Sequence, residues 1–168
     1  MQIYTVPEPF KINGKFTVFL GGSIENGAAE EWQQEVIKEL KWHDVNVLNP
    51  RRENWDPTWE QSKDNAQFRQ QVEWELNGLG LADMIIMYLS PGTISPVSLL
   101  ELGLYAKSGK LLVFCPNDFT RAGNVHIVCE QNHVKYTTSR SDFFYLLNEF
   151  LKRSVYIHQC LQFNKNSL

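Results

Sequence analysis

Short apolar runs alternate with helical patterns along this chain, and each run is closed by glycine, proline, serine or asparagine. Phe16-Thr17-Val18-Phe19-Leu20 stops at Gly21-Gly22-Ser23, and Val45-Asn46-Val47-Leu48 stops at Asn49-Pro50. Met84-Ile85-Ile86-Met87-Tyr88-Leu89 runs into Ser90-Pro91-Gly92-Thr93, and Leu111-Leu112-Val113-Phe114 into Cys115-Pro116. Such runs read as buried strands and their closing residues as turns at the sheet edge. Between them lie helical stretches. Trp32, Val36, Ile37 and Leu40 mark one from Ala28 to about Trp42; a second runs from about Asp64 to Leu79; a third carries Glu101; Phe143 to Leu151 closes the set. His126-Ile127-Val128 or Val134-Lys135-Tyr136 supplies a fifth strand. This alternation predicts a parallel sheet with helices on both faces.

The size suits one domain: 168 residues, 43% hydrophobic and 12% aromatic, bury a substantial core, here expected over about residues 16–155. No stretch approaches the roughly 20 apolar residues of a membrane span. A net charge of -3 gives no electrostatic reason to expect nucleic acid or an anionic membrane as partner. Cys115, Cys129 and Cys160 match no zinc or redox spacing, and an odd count argues against a disulfide framework. With no basic region and apolar core in Met1 to Phe10, the expected location is the cytoplasm. His126 and Cys129 lack a third ligand at sensible spacing, so no metal is expected. The polar tail after Tyr156, ending Asn164-Lys165-Asn166-Ser167-Leu168, is expected to be disordered or docked on a neighbour.

In an open parallel sheet, ligands bind at the carboxyl edge of the strands. Four segments leave that edge. Gly21-Gly22-Ser23 is either a tight turn or a place where small residues admit a sugar or phosphate to the backbone. It is no G-x-G-x-x-G fingerprint and no P-loop lysine is present, which argues against nucleoside triphosphate hydrolysis. The loop from Arg51 to about Ser62 carries Trp55 and Trp59, a candidate lid or base platform, and Asp56 beside Trp55 suits a heterocycle's hydrogen-bonding edge. Gln67, Gln71 and Glu75 share one face of the second helix, which on spacing alone reads as a solvated face. Ser98-Leu99-Leu100-Glu101-Leu102-Gly103 sets one carboxylate among apolar residues in the first turns of the third helix. There burial raises its pKa while the helix dipole favours its charge. Such a carboxylate serves as nucleophile or base. Asp83, at the amino edge, reads as structural.

In order along the chain, Phe19-Leu20-Gly21-Gly22-Ser23-Ile24, Asn49-Pro50-Arg51-Arg52 with Trp55-Asp56, Trp74-Glu75, Ala82-Asp83, Ser95-Pro96 to Glu101-Leu102-Gly103, and Gly123-Asn124-Val125 resemble the nucleoside 2-deoxyribosyltransferase-like family. The most specific parts are the glutamate of E-L-G six residues after Ser95 and the spacing of eight between Glu75 and Asp83. The resemblance implies a flavodoxin-like, doubly wound five-stranded sheet of order 2-1-3-4-5. Its edge would bind a nucleoside or nucleotide and cleave or exchange its base with no metal or redox cofactor. Glu101 matches the family nucleophile, which forms a glycosyl-enzyme ester as retaining glycosidases do. Glu75 matches a family aspartate that contacts the reacting nucleoside, here the longer carboxylate. Ser95 stands where transferases carry aspartate and related nucleotide hydrolases a phosphate-binding serine, and Arg51 or Arg52 would supply positive charge. Asn124 matches an asparagine that reaches a neighbouring subunit's site, so a dimer or larger homo-oligomer is implied. The remaining implied contacts to substrate fall on Gly21, Gly22, Ser23, Trp55, Asp56 and Gln71. The partners are then the substrate and the free nucleobase. From another class, a nucleotide-binding or sensing module that has lost its chemistry fits the departures at Glu75 and Ser95. Cleavage of another ribosylated metabolite, such as a dinucleotide, fits a roomier loop at Arg51 to Ser62.

Overall fold

The computed structural model describes residues 1–11, 13–25, 29–52, 55–56 and 58–165. Its elements follow in the order β1 (Gln2–Thr5), β2 (Phe16–Gly22), α1 (Trp32–Leu40), β3 (Val45–Asn49), α2 (Ala66–Leu81), β4 (Met84–Tyr88), α3 (Pro96–Tyr105), β5 (Leu111–Phe114), α4 (Ala122–Gln131), β6 (Lys135–Thr137) and α5 (Arg140–Lys165). All strand pairs are parallel. Every residue of β3, β4 and β5 is buried, as expected for strands covered on both faces.

The sheet has six strands in the order β1-β3-β2-β4-β5-β6, which corrects the five-stranded expectation. The added strand is β1, which pairs with β3 from Gln2 opposite Asn46 to Thr5 opposite Asn49. As an edge strand it buries only Tyr4 firmly, so its sequence lacks an apolar run. Beyond β1, the order β3-β2-β4-β5-β6 is a doubly wound sheet whose direction reverses between β2 and β4. The segment after β1 is tied down by Trp74 of α2, whose Nε1 donates to the Glu8 carbonyl at 2.7 Å while Phe10 packs edge-on at 5.2 Å.

Two apolar clusters flank the sheet. Trp74 and Leu79 of α2, Leu102 of α3, and Ala122, Val125 and Cys129 of α4 pack with Phe19, Ile85, Met87 and Val113 on one face. Trp32, Val36 and Leu40 of α1 and Phe143, Leu147 and Leu151 of α5 pack with Val18, Leu20, Ile86 and Tyr88 on the other. Trp32 stacks on Tyr88 at 4.9 Å and 10°, and its Nε1 donates to the Ser23 carbonyl.

Other boundaries shift. His126-Ile127-Val128 lies in α4, and the fifth-strand role falls to Lys135–Thr137. The closing helix continues to Lys165, against the expected tail; it buries Val155, and His158 packs edge-on against Phe16. Residues 166–168, and Ala28 where the first helix was expected to begin, lie outside the described residues. Asp83 accepts a hydrogen bond from the Thr17 backbone N–H at 2.8 Å, a structural role at the amino edge. His126 Nε2 lies 3.0 Å from the Cys115 carbonyl oxygen and its ring stacks on Tyr136. Cys115 and Cys129 are buried, which pushes their thiols up to about 12 and about 11 and leaves them inert. Among the described residues no helix is long and apolar enough to cross a membrane.

Candidate active site

A cavity of about 330 Å³ opens at the carboxyl edge, where β2 and β4 diverge towards different helices. One wall consists of the ends of β2 and the start of α3: Gly21, Gly22, Ile24, Glu25, Ser95, Pro96, Val97, Ser98 and Glu101. The other consists of the β3–α2 connection and α2: Pro50, Arg51, Arg52, Trp55, Gln61, Phe68, Gln71, Val72 and Glu75.

The first wall is tightly built. Gly22 has φ +141°, and a Cβ there would lie 2.1 Å from the Tyr88 carbonyl oxygen, so only glycine lets β2 close on β4 while leaving the cavity floor open. The tight-turn reading of the glycine pair therefore holds at Gly22, which also lines the cavity. Ser23 does not line the cavity; its Oγ lies 2.6 Å from Ser95 Oγ and 2.8 Å from Thr93 Oγ1 and accepts from the Ser90 N–H. Ser95, the residue before α3, has φ +43°, and Pro96 follows at the first helical position, where its missing N–H costs nothing. Glu25, also left-handed at φ +46°, accepts at Oε1 from the N–H groups of Ile94 (3.1 Å) and Ser95 (2.8 Å) and from Ser95 Oγ (3.2 Å).

On α3 the helical spacing turns Ser98, Glu101 and Leu102 inward and leaves Val97, Leu100 and Leu104 exposed. Of the leucines around Glu101, Leu100 thus faces outward, 65% exposed. Glu101 is 8% exposed; burial, and then the charge of Glu75, push its carboxyl up to about 8. Burial also pushes Glu75 up to about 7, opposed by Gln71, whose Nε2 donates to Glu75 Oε1 at 2.7 Å and to the Pro50 carbonyl at 2.9 Å. The face that spacing alone assigned to solvent is therefore divided. Gln71 and Glu75 face the cavity, and Gln67 is exposed.

Glu75 reaches the cavity from the tenth position of α2 because the long β3–α2 connection starts the helix above the sheet edge. Gly78 fixes the depth: a Cβ there would meet Phe19 ring atoms at 2.9 Å, so Gly78 is level with the middle of β2. Glu75, about 4.5 Å higher along the helix, is then level with Leu20 and Gly21, and its side chain leans further towards the edge.

The second wall is looser. Arg51 donates to the carbonyls of Ala29 and Glu30 and to Gln33 Oε1, bracing the start of α1. Arg52 lies over the Trp59 ring at 4.9 Å, and Trp55 packs edge-on against Trp59 at 5.3 Å. Arg52 Nη1, Trp55 Nε1 and Gln71 Oε1 are buried without a hydrogen-bond partner among the described residues. Asp56 lies outside the cavity lining; its carboxylate accepts from Thr58 N–H and Oγ1, which holds its pKa below the ordinary value. Asn124 is exposed on α4 and likewise outside the lining of a single chain.

The family model described as "Nucleoside 2-deoxyribosyltransferase like" matches residues 15–119, the stretch from β2 past β5 that carries both walls. The chain belongs to that family. No curated protein matches it. Among solved structures it is similar to a conserved protein from Enterococcus faecalis V583, with a TM-score of 0.57 at 10% identity over 80% of this chain and 98% of that one. At that identity the likeness speaks for the α/β fold alone. Sequence reasoning passed over Glu25, Gln61, Phe68, Val72 and Ser98 as lining residues. Phe68, Gln71, Val72 and Glu75 recur at three- and four-residue spacing, a signal that marks a shared face without saying what it faces.

Proposed function

We propose that this protein cleaves or exchanges the N-glycosidic bond of a 2'-deoxynucleoside or its 5'-monophosphate, with Glu101 as nucleophile. The observation that carries the reading is the pair of carboxylates, buried Glu101 and half-buried Glu75, lining one cavity of nucleoside size within a chain of this family. Both carboxyls are raised, Glu75 to about 7 and Glu101 to about 8, and the reaction draws on the singly protonated form in which Glu101 is ionised and Glu75 keeps its proton. Glu101 carboxylate attacks the anomeric carbon as the bond to the base breaks, and the developing oxocarbenium charge favours that form. Glu75 donates that proton to the departing base, and the sugar is left as an ester of Glu101. A second base, or water, then takes the sugar, gives its proton to the Glu75 carboxylate and returns Glu101 to carboxylate. Trp55 and Phe68 offer faces for the base, and Arg52 Nη1, Trp55 Nε1 and Gln71 Oε1, without a partner among the described residues, offer two donors and an acceptor for its edge.

A second copy of the chain belongs to the same proposal. Val97, Leu100 and Leu104 of α3 and Ile127 of α4 expose apolar side chains on the helices that also present Asn124, an edge suited to a homo-oligomer. Cytoplasmic residence accords with free cysteines. The test is chromatography of products from deoxynucleosides and their 5'-monophosphates, each with and without a different free base, with Glu101→Gln as control. New nucleoside formed only with acceptor identifies a transferase, and free base without acceptor a hydrolase. Ligand binding with no base release in wild type would sink the catalytic reading in favour of a nucleotide-binding module.

A further inference from the structure

Gln71 is buried on α2, one turn before Glu75, and ties that helix to the end of β3. Its Nε2 donates to the Pro50 carbonyl at 2.9 Å and to Glu75 Oε1 at 2.7 Å. A carbonyl oxygen only accepts, so the Pro50 contact by itself fixes which end of the amide points there, and both N–H groups are spent on the two bonds. Among the described residues Gln71 is the one hydrogen-bond donor to Glu75, and Glu75 Oε2 has no partner. The other charged residues lining the cavity around Glu75 are Glu101 on α3, Glu25 beyond β2, and Arg51 and Arg52 beyond β3.

We propose that Gln71 is the positioning residue of the proton donor: anchored by the Pro50 carbonyl, it binds Glu75 at Oε1 and so keeps the transferable proton on Oε2. The inference rests on the proposed base-cleaving chemistry. An amide N–H bonds best to the oxygen that carries no hydrogen, so protonated Glu75 held in this way is a carbonyl towards Gln71 and a hydroxyl at Oε2. As the bond from the sugar to the base breaks, the base keeps the electron pair and takes the Oε2 proton, and the charge left behind spreads over both oxygens of Glu75. The bond from Gln71 then changes from neutral to charge-assisted, roughly twice as strong. An interaction that strengthens while the proton leaves stabilises the transition state more than the ground state. In the resting protein the same bond opposes burial, which raises Glu75.

The test compares Gln71→Met, which keeps the length of the side chain and loses both N–H groups, with Glu75→Gln and with the two together. In Glu101→Gln protein, where Glu75 titrates without its charged neighbour, carbon NMR of the glutamate carboxyls should show that Gln71→Met makes Glu75 hold its proton about tenfold more tightly. Base release from 2'-deoxynucleosides is then followed on the acidic limb of the pH profile, near about pH 5. Glu75 is protonated there in either protein, so the rate reports delivery of the proton and not the share of Glu75 that carries one. On that limb Gln71→Met should lower kcat about tenfold with KM little changed, and should change nothing further in Glu75→Gln. An unmoved Glu75 titration would overturn the proposal. So would an equal loss in the Glu75→Gln background, which would assign Gln71 to binding the base through Oε1 or to the packing of α2. Should Gln71→Met not fold, the side-chain amide protons of Gln71 in Glu101→Gln protein decide: one should move downfield in step with ionisation of Glu75, and amide protons that ignore that titration overturn the proposal. A titration that shifts as expected in a protein that releases no base from any deoxynucleoside sinks the proposed function and takes the delivery role with it. Base release with an unshifted titration sinks the role of Gln71 alone.

Discussion

The two walls of the cavity differ in how their polar groups are partnered. On and behind the β2–α3 wall, Ser95 and Glu25 hydrogen-bond each other, Ser95 bonds Ser23 and Thr93 beneath it, and the one buried atom of this cluster without a partner among the described residues, Ser90 Oγ, lies off the cavity lining. On the β3–α2 wall, Arg52, Trp55 and Gln71 each bury a polar atom with no partner among the described residues. A buried donor or acceptor left unpaired costs about 1–3 kcal/mol, and a ligand edge recovers that cost. The comparison teaches a division of labour. On the proposed function, the wall that positions Glu101 is fixed before substrate arrives, and the wall proposed to meet the base is completed by it.

The largest effect should come from the fixed wall. Glu101→Gln keeps shape and removes the nucleophile, so kcat/KM should fall about a thousandfold or more with little change in substrate binding. Near-normal turnover would remove Glu101 from the mechanism. Glu75→Gln should cost less, about a hundredfold, because it withdraws a proton donor and spares the nucleophile. The pH profile separates the two roles. With groups near 7 and near 8, activity should follow a narrow bell, since below it both carboxyls are protonated and above it both are ionised. Glu75→Gln should abolish the bell and leave a single limb that rises with pH as Glu101 ionises, with its midpoint below that of Glu101 in the wild type because the charge of Glu75 is gone.

The same pair carries a stability signature. Both folded values lie above the unfolded value of 4.5, so the folded state binds more protons than the unfolded chain between them. Their contribution is therefore fully present below about pH 4.5 and is lost as pH rises through 7 and 8. Melting temperature should fall over that window in wild type and fall less in Glu75→Gln. A wild type whose Tm rises across it would contradict carboxyls whose pKa values burial has raised.

Glu101 was legible in the sequence because a carboxylate between leucines at a sheet edge is a local pattern, and β2 to β5 were legible because doubly covered strands read as apolar runs. What escaped was non-local or of mixed pattern. β1 offers only Ile3 and Tyr4 among polar neighbours, and α5 beyond Leu151 is polar enough to pass for tail. Glu25 became visible only when folding brought it to Ser95, seventy residues away. Asp56 was named for its place beside Trp55 and Asn124 from the family pattern, and neither lines the cavity of one chain; Asp56 instead turns to Thr58.

On the open wall the effects should be smaller and fall on binding. Trp55→Ala removes both a stacking face and a buried indole N–H, and should raise KM about tenfold with kcat changed much less. Equal losses in kcat and kcat/KM would mean that this wall acts in the transition state, and the contrast between the walls would fail.

The smallest effect should come from Gly78, which touches neither ligand nor carboxylate. A Cβ at Gly78 would meet Phe19 ring atoms at 2.9 Å and Leu48 Cδ1 at 3.2 Å, and both side chains are fully buried. Overpacking there costs about 1–3 kcal/mol, while alanine's better helix propensity returns about 1 kcal/mol, so Gly78→Ala should lower stability only slightly in denaturant unfolding. To relieve the contact α2 must move off the sheet, and Glu75 moves with it. Activity should then fall several-fold through the proton-donor limb of the pH profile, with nucleoside binding little changed. If Gly78→Ala lost stability and kept the wild-type profile, Phe19 would have yielded instead of the helix, and the height of Glu75 over the sheet would be set by the β3–α2 connection alone.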